Sequence, residues 1–150
     1  MDATWIVLAD EGRARILSRP QRGAELVEVE EIADPAAHAH NADLRRDAYG
    51  RRHGGDGRMG ANQTESAGLE KLDHEAELFA RRVTERLLDA HHKHRFAELR
   101  IAAAPRFLGR LRQVMDPQLK KAVVEELDKD LLQLDARELT QRLFPEDRNG

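Results

Sequence analysis

The chain has 150 residues, a length that fits one domain with an ordinary core. Charged residues make up 35% and aromatics only 4%, so the core must rest on Leu, Val, Ile and Ala; a formal charge of −3 gives no global case for binding nucleic acid. With no cysteine, a disulfide framework, a thiolate zinc site and a cysteine nucleophile are all excluded.

Met1-Asp2-Ala3-Thr4-Trp5 is acidic where a secretory signal would be basic, and the apolar run Trp5-Ile6-Val7-Leu8-Ala9 is too short for one. No stretch approaches a membrane span, so the expectation is a cytoplasmic protein with no membrane partner. Residues 4–9 form a compact run of β-formers, as in a strand buried on both faces. Asp10-Glu11-Gly12 supplies a turn, and Arg13-Ala14-Arg15-Ile16-Leu17 resumes as a second strand. After a turn over residues 20–23, residues 25–32 give a third, partly alternating strand, which completes a meander.

Between residues 34 and 68 the periodicity vanishes. Arg45, Arg46, Arg51, Arg52 and Arg58 are interleaved there with Gly50, Gly54, Gly55, Gly57 and Gly60, and Asp47 and Asp56 are the only acids between Leu44 and Gly60. A loop this long inside a compact domain is either functional or without fixed structure of its own. Arginine forks suit phosphate oxygens and glycine lets the backbone approach closely, so these five arginines are candidate RNA contacts. Tyr49 is the only aromatic among them, which limits base stacking. A solvated insertion with no ligand is the rival reading.

From Leu69 the helical period is clear: Leu69, Leu72, Ala76, Phe79, Ala80, Val83, Leu87 and Ala90 form one stripe. The helix is expected to fray at His91-His92-Lys93-His94, and Glu98-Leu99-Arg100-Ile101-Ala102-Ala103-Ala104 reads as a fourth strand. Pro105 suits a helix start, with Phe107, Leu108, Leu111 and Val114 as its apolar face. Residues 119–134 stay open: Ala122-Val123-Val124 favours a strand, whereas Lys121, Glu125 and Lys129 have helical spacing. Asp135-Ala136-Arg137-Glu138 resembles a capping box and opens a last helix with Leu139 and Leu143, stopped by Pro145.

The segments Trp5-Ile6-Val7-Leu8-Ala9-Asp10-Glu11-Gly12-Arg13-Ala14-Arg15-Ile16, His74-Glu75-Ala76-Glu77 with Phe79-Ala80-Arg81, Ala104-Pro105-Arg106-Phe107-Leu108-Gly109 and Glu126-Leu127-Asp128-Lys129-Asp130-Leu131 carry a resemblance. In that order, with the Arg/Gly loop between them, they resemble the bacterial host-attachment family, "protein required for attachment to host cells". That family is in turn similar to the central domain of archaeal and eukaryotic class-1 release factors and Pelota. The resemblance implies a single α/β domain over residues 1–150: a mixed sheet of about five strands, an N-terminal meander followed by strand–helix units, with helices packed on it. It also implies a strand over residues 122–128 and a role near the ribosome. Release factors hydrolyse peptidyl-tRNA through a Gly-Gly-Gln tip. Here Gly54-Gly55 is followed by Asp56, and Gln63 follows Asn62, so hydrolysis does not carry over.

The remaining chemistry-bearing residues give weaker signals. His91 and His94 are three apart without a convincing third ligand and read as a wet helix end. Asp10, with Asp73 or Glu77, would have to gather into a two-metal cluster for nuclease work, and more simply orders the hairpin turn. His74 borders the Leu72–Ala76–Phe79 stripe and reads as a packed or capped histidine. Arg106, just inside the helix after the fourth strand, is the stronger candidate, with Arg110 and Arg112 continuing a second basic strip. No catalytic residue, metal or cofactor is assigned. The expected function is a non-catalytic RNA- or ribosome-associated factor that contacts phosphate through the loop and Arg106. A protein–protein adaptor indirectly linked to surface attachment is the main alternative, and a metal-dependent nuclease the weaker one.

Overall fold

The computed structural model describes residues 3–33 and 59–145. Five strands form one sheet in the order β3-β2-β1-β4-β5. β1 (Thr4–Ala9), β2 (Arg13–Arg19) and β3 (Val27–Ala33) make the antiparallel meander. Helix α1 (Met59–His92) then carries the chain back to β4 (Glu98–Ala103), which pairs with β1 in parallel. Helices α2 (Pro105–Val114) and α3 (Pro117–Ala122) lead to β5 (Val123–Leu127), parallel to β4, and α4 (Ala136–Leu143) closes the fold. The mixed α/β sheet expected from the sequence is therefore present.

Strand alternation divides the core into two layers. Trp5, Val7 and Ala9 of β1 join Ile16, Leu99 and Ile101 against Phe79, Val83 and Leu87 of α1 and Phe107, Leu108 and Leu111 of α2. Ile6, Leu8, Leu17 and Ala102 face the other way, under Leu131, Leu132, Leu139, Leu143 and Phe144. Thus β1 is buried on both faces because helices cover both sides of the sheet, the arrangement its unbroken apolar run predicts. At the margin, β3 leaves Val27 55% exposed. Arg86 of α1 reaches Glu30 of β3, and that hydrogen bond and charge raise the arginine's pKa further.

Two expectations need correction. First, helix α1 starts at Met59, so residues 59–68, read as part of the loop, are helical. The stretch Met59-Gly60-Ala61-Asn62-Gln63-Thr64-Glu65-Ser66-Ala67-Gly68 lacks an apolar stripe and holds two glycines, which hides a helix from periodicity. Second, His74 is exposed rather than packed. It lies two residues from both Leu72 and Ala76, roughly 200° around the helix from each, and so opposite the buried stripe. The open segment divides: residues 117–122 are helical, and 123–127 form the strand that the resemblance implied over 122–128, with Ala122 ending the helix instead. Glu125 does not use its helical spacing to Lys121 but meets Arg100 of β4 at 3.3 Å.

The end of α1 is a left-handed cap built on an unusual residue. His94 has φ 58°, His94 N–H donates to the His91 carbonyl at 3.0 Å, and Arg95 N–H donates to the Ala90 carbonyl at 3.0 Å. This pair of bonds is the Schellman pattern, in which glycine usually fills the left-handed position. A Cβ there strains the backbone, by about 1–2 kcal/mol in the left-handed region. Part of that is offset by the flexibility glycine adds to the unfolded chain. His94→Gly is expected to stabilise the protein by about 0.5–1 kcal/mol, a rise in melting temperature of roughly 1–4 °C. Differential scanning calorimetry reads this directly; an unchanged or lower midpoint would show that the His94 side chain has a compensating role.

Candidate functional site

The topology gathers one end of the sheet into a rim. β1, β3, β4 and β5 all run toward it: β1 is parallel to β4, β4 to β5, and Ala33 at the end of β3 pairs with Arg13 beside the first turn. The 34-residue helix α1 is about 50 Å long, against about 20 Å for a six-residue strand, so it outruns the sheet. Its last residues connect directly to β4 at the opposite end, where Ala97 N–H donates to the Ala3 carbonyl. The excess therefore lies beyond the rim. Leu72 is its first buried side chain among the described residues, and Met59 stands roughly 20 Å of helix before it. The segment holding Arg45, Arg46, Arg51, Arg52 and Arg58 leaves the rim at Ala33 and re-enters at Met59; those five arginines lie outside the described residues.

Arg106 stands on the same rim, at the start of α2, where the chain leaves β4. Ala104 caps that helix without a side-chain hydrogen bond. Arg106 is not alone. Its Nη2 and the Nη2 of Arg110 both donate to a single oxygen, Asp73 Oδ1 of α1, each at 2.8 Å. The side chain of Arg106 is 72% exposed and that of Arg110 only 20%, because the latter lies deeper between α1 and α2. Arg112, expected to continue this strip, turns instead to Glu126 of β5 at 2.8 Å, and the carboxylate's hydrogen bond and charge raise its pKa. The basic strip of α2 is thus two arginines around one carboxylate, with the third on a different partner. A surface cavity of about 470 Å³ beside β5 is lined by Arg112 and includes none of Asp10, Asp73 or Arg106.

The other polar candidates have local roles. Asp10 Oδ1 accepts from Gly12 N–H at 2.9 Å and its own N–H donates to the Arg13 carbonyl at 2.9 Å, which shapes the β1–β2 turn as expected. His92 Nε2 lies 3.0 Å from Gln118 Oε1, and the His91 ring packs on Phe96 with centroids 5.5 Å apart. Glu77 pairs with Arg81 along α1 at 3.2 Å. Among the described residues no three His, Asp or Glu side chains gather as metal ligands. Among them, too, no helix is long and apolar enough to cross a membrane.

The model of the family "Protein required for attachment to host cells" matches residues 5–143. The chain belongs to this family. No curated protein matches the sequence. Among solved structures, the host-attachment chain is similar to an archaeal translation termination factor, aRF1. The TM-score is 0.52 at 14% identity, over 97% of this chain and 36% of that one. It also matches a second structure, described as an archaeal protein, with TM-score 0.49 and 16% identity over 97% of this chain and 35% of that one. The chain spans about a third of the length of each. At this identity the likeness to the termination factor establishes a shared fold, the one the sequence resemblance implied.

Sequence reasoning missed the polar interior of this chain. Arg15 and Arg19 are both 7% exposed, on the β2 face that α4 covers. The guanidinium of Arg19 lies 3.8 Å, and that of Arg100 4.5 Å, from the centroid of the Phe144 ring. Asp73 was considered only as a distant metal ligand. Its partners are 33 and 37 residues away, a spacing no local pattern reveals.

Proposed function

We propose that this member of the family is a non-catalytic RNA- or ribosome-associated factor. In this reading Arg45, Arg46, Arg51, Arg52 and Arg58, with Arg106, contact phosphate. The observation that carries it is the placement of the two ends of the arginine-rich segment: Ala33 leaves at the rim, and α1 begins at Met59, roughly 20 Å of helix before Leu72, which is buried. A segment whose two ends are fixed by one domain can meet a groove while the domain sets where it starts and stops. Five guanidiniums there would provide a salt-sensitive, sequence-tolerant attraction. The fold shared with an archaeal translation termination factor supports the choice of ribosome or structured RNA over other polyanions. The action is contact rather than hydrolysis, since Gly54-Gly55-Asp56 offers a carboxylate where an amide would be needed to position water without adding like charge.

The test is comigration of the tagged full chain with ribosomes on a low-salt sucrose gradient, paired with RNA titrations at several salt concentrations. The variant replacing all five loop arginines by alanine should lose comigration. It should also flatten the slope of log K against log salt by roughly 0.7 for each single-strand phosphate contact removed. An unchanged slope removes the segment from the mechanism. A wild type that stays at the top of the gradient while one protein copurifies with it would establish the adaptor instead.

A further inference from the structure

The geometry points to Asp73 as a built-in competitor for phosphate: a carboxylate gate that occupies the Arg106–Arg110 pair until an RNA phosphate displaces it. This rests on the reading that the rim meets phosphate and assigns that contact a regulator. Two guanidiniums from successive turns of α2 converge on one oxygen of one residue of the facing helix, both at 2.8 Å. That is the arrangement a phosphate oxygen would require, two charge-assisted donors on a single anionic acceptor. Asp73 is 47% exposed and Arg106 72%, so water and solutes reach the pair, and exposed ion pairs of this kind are weak enough to exchange. Arg110 at 20% is held in place by packing between the helices, so it stays aimed at the same point when the carboxylate leaves.

Position strengthens the case. The pair opens α2 on the same rim as Ala33, and its shared acceptor Asp73 belongs to the helix that begins at Met59, so RNA bound at this rim meets Arg106 where it is exposed. Each phosphate that replaces Asp73 must break two ion pairs to make two. The net attraction at this point is therefore small in the wild type and sets a threshold. Only an extended polyanion, held by further contacts, brings enough local phosphate to open the gate.

The experiment compares the full-length wild type, Asp73→Asn, Glu70→Gln and Arg106→Ala/Arg110→Ala. Asparagine keeps the size of aspartate and an acceptor oxygen but removes the charge. Glu70→Gln makes the same charge change one helical turn away, on an exposed residue. Tripolyphosphate is titrated while the arginine side-chain Nε–H resonances are followed by NMR, and a labelled single-stranded oligoribonucleotide is titrated by anisotropy. Asp73→Asn should move the Arg106 and Arg110 resonances at about three- to ten-fold lower tripolyphosphate and bind the RNA about three- to ten-fold tighter. Its salt slope should steepen by about one, while the double arginine variant weakens binding and Glu70→Gln shows much the smaller change.

A tripolyphosphate response in Asp73→Asn equal to or weaker than the wild type's overturns the gate, since Asp73 would then only position the arginines. An equal gain in Glu70→Gln also overturns it, by reducing the effect to net charge. RNA binding that depends on the loop arginines but ignores Asp73→Asn sinks the gate and leaves the proposed function standing. A tripolyphosphate gain at the pair with no RNA binding by any variant does the reverse.

Discussion

Replacing Phe107 by alanine should destabilise the protein by about 3–5 kcal/mol, a large part of the total stability of a domain this size. Phe107 is 1% exposed and its ring lies against Phe79 of α1, with centroids 6.2 Å apart and planes at 37°. With Leu108 and Leu111 it carries α2 into the cluster that holds Val83 of α1 and Ile101 of the sheet. Truncation removes the transfer free energy of the ring and leaves a hole that two helices and a sheet cannot close together. Urea denaturation read by circular dichroism measures the effect as a lowered midpoint at an unchanged slope. Leu78→Ala is the control: that side chain is 51% exposed on the same helix as Phe79 and should shift stability by no more than about 0.5 kcal/mol. If Phe107→Ala costs under about 1 kcal/mol, α2 is not packed as described, and the Arg106–Arg110 pair would have no rigid base.

What the sequence could show follows from how far apart the determining residues lie. Asp135 and Glu138 are three apart, so the capping box was visible from four residues, and the structure shows both halves: Glu138 N–H to Asp135 at 2.8 Å and Asp135 N–H to Glu138 at 3.3 Å. β1 was visible because burial on both faces leaves an uninterrupted apolar run. The first ten residues of α1 were hidden, since Met59 to Gly68 hold two glycines and no apolar stripe. For β5, the spacing of Lys121 and Glu125 pointed to a helix, and pairing with β4 decided against it. Tertiary pairing outweighs a local preference worth only tenths of a kcal/mol. The same rule applies to the candidate site. Arg106 was visible from its place after Pro105; that it shares an acceptor with Arg110, and that Arg112 does not, depends on how α1, α2 and β5 pack.

Arg15 shows the same limit in the interior and carries the second large expected effect. In β2, Arg13, Arg15, Leu17 and Arg19 share a face by alternation, a pattern that reads as a solvated surface. The structure instead covers it. Arg15 Nη1 donates to the carbonyls of Leu132 at 2.8 Å and Leu134 at 2.7 Å, while Nε donates to Glu28 at 3.0 Å and Nη2 reaches the same carboxylate. One guanidinium thus joins β2, β3 and the segment that leads into α4.

Arg15→Ala leaves two carbonyls without their donor under a closed layer. Unsatisfied buried groups cost about 1–3 kcal/mol, and hydrogen bonds to a charged group contribute about 1.5–3 kcal/mol. Glu28 is half-exposed and can turn to water, which limits the loss, so the expected total is about 3–4 kcal/mol. Arg15→Lys keeps the charge but replaces a planar fork with a single ammonium that cannot serve both carbonyls and the carboxylate at once. It should recover no more than about half. Because Arg15 is buried and two of its acceptors are backbone carbonyls, raising the salt to about 1 M should leave most of the difference between wild type and Arg15→Ala intact, unlike the Arg106–Asp73 pair, which is exposed on both sides. Hydrogen exchange locates the effect: protection should fall first in residues 131–143, which include α4, and last in β1 and β4. A lysine variant as stable as the wild type would mean that charge alone holds this layer, and that the fork geometry contributes nothing.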